Sequence, residues 1–139
     1  MILAALALGA AGHAFTCRVV SVHDGDTMRC ADGTRIRLQG IDANELDGTC
    51  HHACARGAAD QARRGLEALV LRKSTKCTST GTSYRRVTAW CTVMVDDGRP
   101  VDLSCEQVAR GLAVIWRRFD PGHLLDRCGA MPPPGVPVK

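Results

Sequence analysis

After residue 15, apolar and polar residues alternate in short runs that are separated by turn residues. Residues 16–42, TCRVVSVHDGDTMRCADGTRIRLQGID, carry turn signals at 24–26 and at 32–33. In the segment RIRL, Ile36 and Leu38 fall on one face of a strand, and Arg35 and Arg37 fall on the other. The pattern predicts short antiparallel strands joined by tight turns.

The alternation changes phase at Gly40, because Ile41 is apolar where a polar side chain is expected. A glycine at such a break is typical of a bend or bulge. We therefore expect the chain to bend just before Asp42 and to re-aim the carboxylates that follow.

Residues 55–72, ARGAADQARRGLEALVLR, have the periodicity of a helix. Its apolar positions are Ala58, Ala62, Leu66, Leu69 and Val70. Strands are predicted near residues 74–78 and 87–95, joined by a loop that contains residues 84–86. A second helix, with its N-cap at residue 102 or 104, is expected to pass residue 108 and to end at residue 111, before an extended run at 112–116.

About five strands, with a helix between the third and the fourth, predict a closed or nearly closed antiparallel barrel decorated by helices. A flat sandwich is the alternative. A chain of 139 residues that is 45% hydrophobic suits one domain, which we place at residues 16–120. Residues 121–139 form a C-terminal extension whose tail, MPPPGVPVK, favours disorder or polyproline structure.

Residues 1–14, MILAALALGAAGHA, resemble a signal peptide, and cleavage after the small residue Ala14 would leave Phe15 first. The run is too short to cross a bilayer, so we expect no membrane contact in the mature form. A strand or helix kept in the mature fold is the alternative. No Lys or Arg precedes His13, which favours a true start further upstream.

Eight cysteines in a chain of this length favour an oxidising compartment, and we predict a secreted or periplasmic protein. Cys17 with Cys30, and Cys77 with Cys91, each flank a predicted hairpin. Cys50 and Cys54 enclose two histidines, which suggests either a zinc site or a local loop closed by a disulfide. We favour the loop, because no second pair of ligands follows downstream.

Carboxylates and arginines surround the predicted strand ends. Asp26 lies at a hairpin turn and Asp42 at a later strand exit, so a barrel would bring the two together. Paired carboxylates repel unless a cation or a proton lies between them, and hard oxygen ligands favour Ca²⁺ or Mg²⁺. Ordinary turns also contain Asp-Gly-Asp, which is the simpler interpretation. Arg37 and Arg86 are suited to grip phosphate oxygens, and Glu45 is suited to activate water.

The segments DGDT, RLQGIDANE and YRR follow one another in the order typical of the staphylococcal nuclease (thermonuclease) family, which the chain resembles over residues 19–119. The resemblance implies an OB-type five-stranded Greek-key barrel with helices. It also implies that Asp26, Asp42 and the carbonyl of Ala43 bind Ca²⁺. Arg37 and Arg86 would hold the phosphate.

Further roles follow from the same resemblance. Glu45 would act as general base in a hydrolysis of DNA and RNA that leaves 3′-phosphate ends. The family's nucleotide-stacking tyrosines fall at Arg117 and Phe119, and Tyr84 belongs to the same substrate-binding group. Phe119 is able to stack on a base, whereas Arg117 is suited to backbone charge. We expect the enzyme to act as a monomer.

The chain departs from the family at several positions. Ala43 stands where Thr is frequent, and a ligand that acts through its carbonyl tolerates the exchange. Asn44 replaces the usual Pro, which we expect to loosen the turn that aims Glu45. LDGTCHHACARG, residues 46–57, replaces a lysine-rich mobile loop and would be stiffened by its cysteines. The segment after Pro121 is short for a third helix.

Two other classes of protein share these features. A barrel that holds nucleic acid without cutting it would be expected to lose acidic or arginine positions, and here they are intact. A cysteine-rich structural protein would carry the same charges as solvated pairs. The net charge of +4 is compatible with a polyanionic partner but decides little alone.

Overall fold

The computed structural model describes residues 12–130, with the backbone alone for residues 127, 129 and 130. Most of the predicted leader and the Pro-rich tail lie outside this range. The strands are β1 (Ala14–Asp24), β2 (Thr27–Cys30), β3 (Arg35–Leu38), β4 (Ile41–Ala43), β5 (Ser74–Ser83), β6 (Arg86–Met94), β7 (Pro100–Asp102) and β8 (Ala113–Ile115). The helices are α1 (Ala59–Val70) and α2 (Leu103–Ala109), and 3₁₀ turns follow at Arg117–Phe119 and Leu124–Ala130.

Five strands close a barrel in the order β3-β2-β1-β5-β6, with β3 pairing back onto β6. The predicted closed barrel with helices, of OB-like α+β type, is therefore confirmed. The prediction of an antiparallel barrel is wrong in one pairing, because β3 and β6 run parallel, with Ile36 opposite Val87 and Leu38 opposite Ala89. Five strands cannot alternate direction all the way around a ring, so one pairing must be parallel.

The barrel interior and the inner face of α1 form one hydrophobic core. Met28, Ile36 and Leu38 point inward from β2 and β3, as their alternation predicts. Helix α1 begins at the N-cap Ala58, which is exposed, so this residue does not belong to the buried stripe. The stripe consists of Ala62, Leu66, Leu69 and Val70. Its burial seals one side of the barrel.

The other elements lie close to their predicted positions, with differences at their ends. Strands β5 and β6 extend to a two-residue turn, in which Tyr84 and Arg85 have φ angles of 50° and 65°. Such left-handed pairs fit the twist of a hairpin, and they place Arg86 in β6 rather than in a loop. Asp102 caps α2 by accepting a hydrogen bond from the backbone N–H of Cys105 at 2.8 Å.

All eight cysteines are paired in disulfides. The three predicted pairs, Cys17–Cys30, Cys50–Cys54 and Cys77–Cys91, are confirmed. A fourth bond, Cys105–Cys128, ties α2 to the last 3₁₀ turn. Because thiolates are consumed in these bonds, the CHHAC segment is a closed loop rather than half of a zinc site. Four disulfides indicate an oxidising environment.

Within residues 12–130, no helix has the length and apolar character needed to span a membrane.

The expected bend before Asp42 is present at Gly40, which has a φ of +81°. A Cβ atom at this position would lie 2.8 Å from Leu125 Cδ1 and 3.0 Å from Trp90 Cη2. Gly40 is therefore required both by its backbone conformation and by the close packing around it.

Replacing Gly40 by Ala tests this packing, with Gly33→Ala as the matched control. Gly33 has a φ of +92°, but a Cβ atom added to it would meet no heavy atom within 4 Å. We expect Gly33→Ala to cost about 1 kcal/mol of unfolding free energy and Gly40→Ala about 2 kcal/mol or more, because only the latter also adds a clash. Urea denaturation measures both, and equal losses would contradict the packing argument.

Candidate functional site

Two carboxylates from distant parts of the chain converge on one guanidinium. Asp26, in the turn between β1 and β2, and Asp42, on β4, are 2% and 0% exposed. Arg37 Nη1 lies 3.2 Å from Asp26 Oδ2, and Arg37 Nη2 lies 3.5 Å from Asp42 Oδ1. One positive charge therefore faces two buried carboxylates, and a further cation would complete the balance of charge.

The turn that carries Asp26 is packed too tightly for a side chain at its centre. A Cβ atom on Gly25 would lie 2.5 Å from the Cβ of Ala62 and 2.8 Å from the Cβ of Ala43. Gln107 Nε2 of α2 donates to the carbonyl of Gly25 at 2.8 Å and to that of Ala62 at 3.1 Å. Both helices thus hold the Asp-Gly-Asp turn in place, and Gln107 carries no sequence signal that would have predicted this role.

Asp26 is a buried acceptor with several donors around it. Its Oδ1 accepts from Thr27 Oγ1 at 2.9 Å, and its Oδ2 accepts from the N–H of Ala43 at 2.8 Å. Burial raises the pKa of Asp26 to about 6, against the opposing effect of the Arg37 guanidinium and with a smaller contribution from Asp24. The charged form is therefore costly here, and a neighbouring cation would stabilise it.

Asp42 accepts fewer hydrogen bonds than Asp26. Its Oδ2 accepts from the backbone N–H of His52 at 2.9 Å. Its Oδ1 is buried and accepts no hydrogen bond among the described residues, and its partner there is the Arg37 guanidinium, at 3.5 Å. A buried carboxylate oxygen without a close donor is unfavourable, and a bound cation is one way of compensating it.

The donor set fits a hard cation such as Ca²⁺ in part. Asp26 and Asp42 supply two oxygen ligands of the type that Ca²⁺ prefers. In residues 12–130, no group of three or more His, Cys, Asp or Glu side chains is arranged to hold a metal ion together. The carbonyl of Ala43, water and substrate oxygens would have to complete the six to eight ligands usual for Ca²⁺.

The disulfide-closed loop between Cys50 and Cys54 lies against this carboxylate group. His51 Nε2 lies 2.8 Å from Glu45 Oε1, and the ring of His52 stacks on Trp116 with 5.3 Å between ring centroids. Both histidines are exposed, yet each contacts a residue of the site. Glu45 itself is half-buried, with 27% of its side chain exposed.

The expectation that Asn44 loosens this region is wrong. Its Nδ2 donates to the carbonyl of Ala55 at 3.1 Å and to that of Gly57 at 3.0 Å. Its Oδ1 accepts from the N–H of Ala55 at 2.8 Å. The amide therefore joins the start of the loop to its end, a role that the side chain of Pro lacks.

A pocket of about 370 Å³ opens beside the carboxylates. Four predicted site residues line it, namely Arg37, Tyr84, Arg86 and Phe119. Arg86 is anchored by its Nε to the carbonyl of Ser83 at 3.2 Å and by its Nη1 to Thr27 Oγ1 at 3.4 Å. Thr27 also bonds Asp26, so a short hydrogen-bonded chain links Arg86 to the buried carboxylates.

Arg117 is placed outside this pocket. Its guanidinium pairs with Asp126 at 2.7 Å and with Asp120 at 3.3 Å. Arg118 lines the pocket instead, and its guanidinium carbon lies 5.6 Å from the centre of the Phe119 ring. The 3₁₀ turn at Arg117–Phe119 decides which of the two adjacent arginines faces inward, and sequence alternation does not resolve such a turn.

Sequence reasoning also missed His51 and Trp116, which line the same pocket. Trp116 ends the predicted extended run at residues 112–116, and an aromatic residue there was the available signal. His51 was visible only as part of the CHHAC motif.

Comparison of the chain with protein-family models and with curated proteins found no match.

Arg37→Met tests whether the shared guanidinium supports the fold, because it strands two buried carboxylates. We expect a loss of about 3 kcal/mol or more in unfolding free energy. The control Arg64→Met removes an exposed ion pair with Asp60, whose N–O distance is 2.7 Å, and should cost about 0.5 kcal/mol or less. Urea denaturation compares the two, and similar losses would remove Arg37 from its central position.

Proposed function

We propose that this protein is an exported, calcium-dependent nuclease of the staphylococcal nuclease type that hydrolyses phosphodiester bonds of DNA and RNA. The observation that carries the proposal is the convergence of Asp26 and Asp42 on Arg37, whose guanidinium also lines a pocket with Arg86. Two arginines and a pair of hard oxygen ligands beside one cavity suit a phosphodiester better than a neutral substrate.

Arg37 and Arg86 would bind the non-bridging oxygens of the phosphate, where negative charge grows as water attacks. Arg37 is at present engaged with two carboxylates, so an incoming phosphate competes with them for it. Ca²⁺ held by Asp26, Asp42 and the carbonyl of Ala43 would neutralise those carboxylates and would stabilise charge on the phosphate. Arg37 would then be held less strongly by the two carboxylates and would be available to the phosphate of the substrate.

Glu45 would act as the general base. It takes a proton from water, the resulting hydroxide bonds to phosphorus, and the bond from phosphorus to the 5′ oxygen breaks. The 5′ oxygen takes up a proton from solvent, and the phosphate remains on the 3′ oxygen. The contact between Glu45 and His51 holds one carboxylate oxygen and leaves the other available to water.

The walls of the pocket provide contacts for the rest of the nucleotide. Phe119 is 41% exposed and Tyr84 is 88% exposed, and both rings are suited to stacking on bases. Arg118, beside Phe119, adds positive charge for the backbone. Arg117, although engaged by Asp120 and Asp126, remains a substrate-binding prediction at the edge of this surface. Stacking and phosphate contacts of this kind discriminate little between bases, which accords with action on both DNA and RNA.

Glu45→Gln tests the base, with Glu67→Gln as control because Glu67 is also an ion-paired acid, 29% exposed. Plasmid and single-stranded DNA are incubated with Ca²⁺ or with chelator, and product formation is followed. We expect cutting that chelator abolishes, a loss of about a hundredfold or more in kcat for Glu45→Gln, and near wild-type turnover for Glu67→Gln. Retention of DNA without cutting by the unmutated protein would favour the binding module instead.

Calcium binding is testable without activity. We expect saturating Ca²⁺ to raise the thermal unfolding midpoint, since a ligand at about 100 times its Kd stabilises by about 2.7 kcal/mol. Asp42→Asn should abolish the calcium-dependent shift, whereas Asp60→Asn, at an exposed residue of α1, should preserve it. An equal shift in both variants would place the ion elsewhere, and no shift in the unmutated protein would remove Ca²⁺ from the proposal.

A further inference from the structure

A second cavity, of about 360 Å³, lies on β1, β2, β3 and the start of β6. It shares Arg86 with the pocket of the candidate site. Three of its lining side chains are arginines: Arg29, Arg35 and Arg86. We call this cavity the arginine groove. Because Arg86 borders both cavities, the arginine groove adjoins the pocket of the candidate site.

The pairing register of β2 and β3 explains why the two cavities lie side by side. Thr27 pairs with Arg37, and two residues further along the strands Arg29 pairs with Arg35. Side chains two residues apart lie on the same face of a strand, so both pairs project from the outer face of the barrel. The first pair belongs to the candidate site, and the second lies about 7 Å further along.

Arg29 and Arg35 are an unfavourable pair by themselves. They lie directly opposite one another on adjacent antiparallel strands, where like charges destabilise the sheet. Both are exposed, and neither has an ion pair or a side-chain hydrogen bond within the described part of the chain. An anion placed between the two guanidinium groups would replace their repulsion by attraction.

The lining of the arginine groove favours a phosphate over a base. Besides its arginines it is lined by Ser21, which carries a hydroxyl, and by Thr27, whose hydroxyl is already bonded to Asp26 and Arg86. Among its lining residues, His23 alone carries a ring. Arginine and hydroxyl groups are typical contacts to nucleic-acid backbones, whereas bases are bound by stacking on aromatic rings. The aromatic residues Tyr84 and Phe119 line the neighbouring pocket instead.

We propose that the arginine groove binds backbone phosphates of a nucleic-acid chain beyond the phosphate that is cut, so that the substrate runs from the pocket across β2 and β3. This inference rests on the proposed nuclease function and deepens it. It assigns Arg29 and Arg35 to substrate binding, and it predicts that affinity increases with the length of the substrate and is independent of base sequence.

The test compares the double variant Arg29→Gln, Arg35→Gln with the double variant Arg64→Gln, Arg99→Gln. Both lose two positive charges, and the control residues line neither cavity. Each pair is introduced into the Glu45→Gln protein, so that substrate is bound without being consumed. The probes are a fluorescent dinucleotide and a single strand of about twelve nucleotides.

We expect the groove variant to bind the longer strand about tenfold more weakly and to lower the slope of log affinity against log salt by about 1.4, for two lost phosphate contacts. Dinucleotide binding should be unchanged, and the control variant should change either affinity by less than about twofold.

Arg35→Glu separates binding from folding. It places a carboxylate opposite Arg29, so the unfolding temperature should rise while affinity for the longer strand falls. If Arg35 had a purely structural role, the unfolding temperature and the affinity would not change in opposite directions.

Three results would overturn the inference. Unchanged binding of the longer strand by the groove variant would leave the nuclease proposal standing and remove the arginine groove from it. Equal weakening of dinucleotide and longer strand would place the arginines at the cut phosphate. Failure of the Glu45→Gln protein to bind either probe would overturn the proposed function together with the arginine groove.

Discussion

The shared ion pair of Arg37 with Asp26 and Asp42 is the interaction on which the site depends. It joins the β1–β2 turn to β3 and β4, and residues of β3 and β4 line the pocket. Burying two carboxylates is unfavourable unless cations and donors compensate, and a single guanidinium compensates incompletely. The lack of a hydrogen bond to Asp42 Oδ1 and the raised pKa of Asp26 are two signs of the same imbalance. An added positive charge would therefore stabilise the site.

Rigid surroundings maintain this unfavourable arrangement. Gln107 and the close approach of α1 hold the Asp-Gly-Asp turn, while the Cys50–Cys54 loop presents a backbone N–H to Asp42. Asn44 closes the same loop at its base. A loop of this construction keeps Glu45 in place at low conformational cost, because its residues are already ordered before a substrate arrives.

The outer face of β2 and β3 carries an excess of positive charge, whereas the buried site carries an excess of negative charge. Arg29 and Arg35 lie on this face without an ion pair among the described residues, whereas two carboxylates share one guanidinium in the buried site. Under the proposed function, a polyanion with associated cations would complement both, its phosphates meeting the exposed arginines and its metal ion the buried acids. The disulfides that brace the barrel allow a small domain to keep both unfavourable clusters and still remain folded.

Local periodicity determined much of the architecture. The alternation in RIRL and the helical spacing of Ala62, Leu66 and Leu69 were sufficient to predict strands and a helix. The hairpin-flanking cysteines predicted two disulfides and the CHHAC segment a third, because each of these features depends on near neighbours in the chain. Residue chemistry indicated the acidic and arginine residues of the site, and the resemblance to the staphylococcal nuclease family added Ala43, Tyr84, Arg117 and Phe119. Only the fold brought four of the predicted site residues to one pocket. Tertiary structure alone decided that β3 pairs in parallel with β6 and that Asn44 bonds the far end of its loop. It also decided that Gln107 anchors the Asp-Gly-Asp turn and that Arg118, rather than Arg117, lines the pocket. These features depend on the closure of a ring of five strands or on contacts between segments that are far apart in sequence. The spacing of residues along the chain does not reveal which distant segments will come into contact.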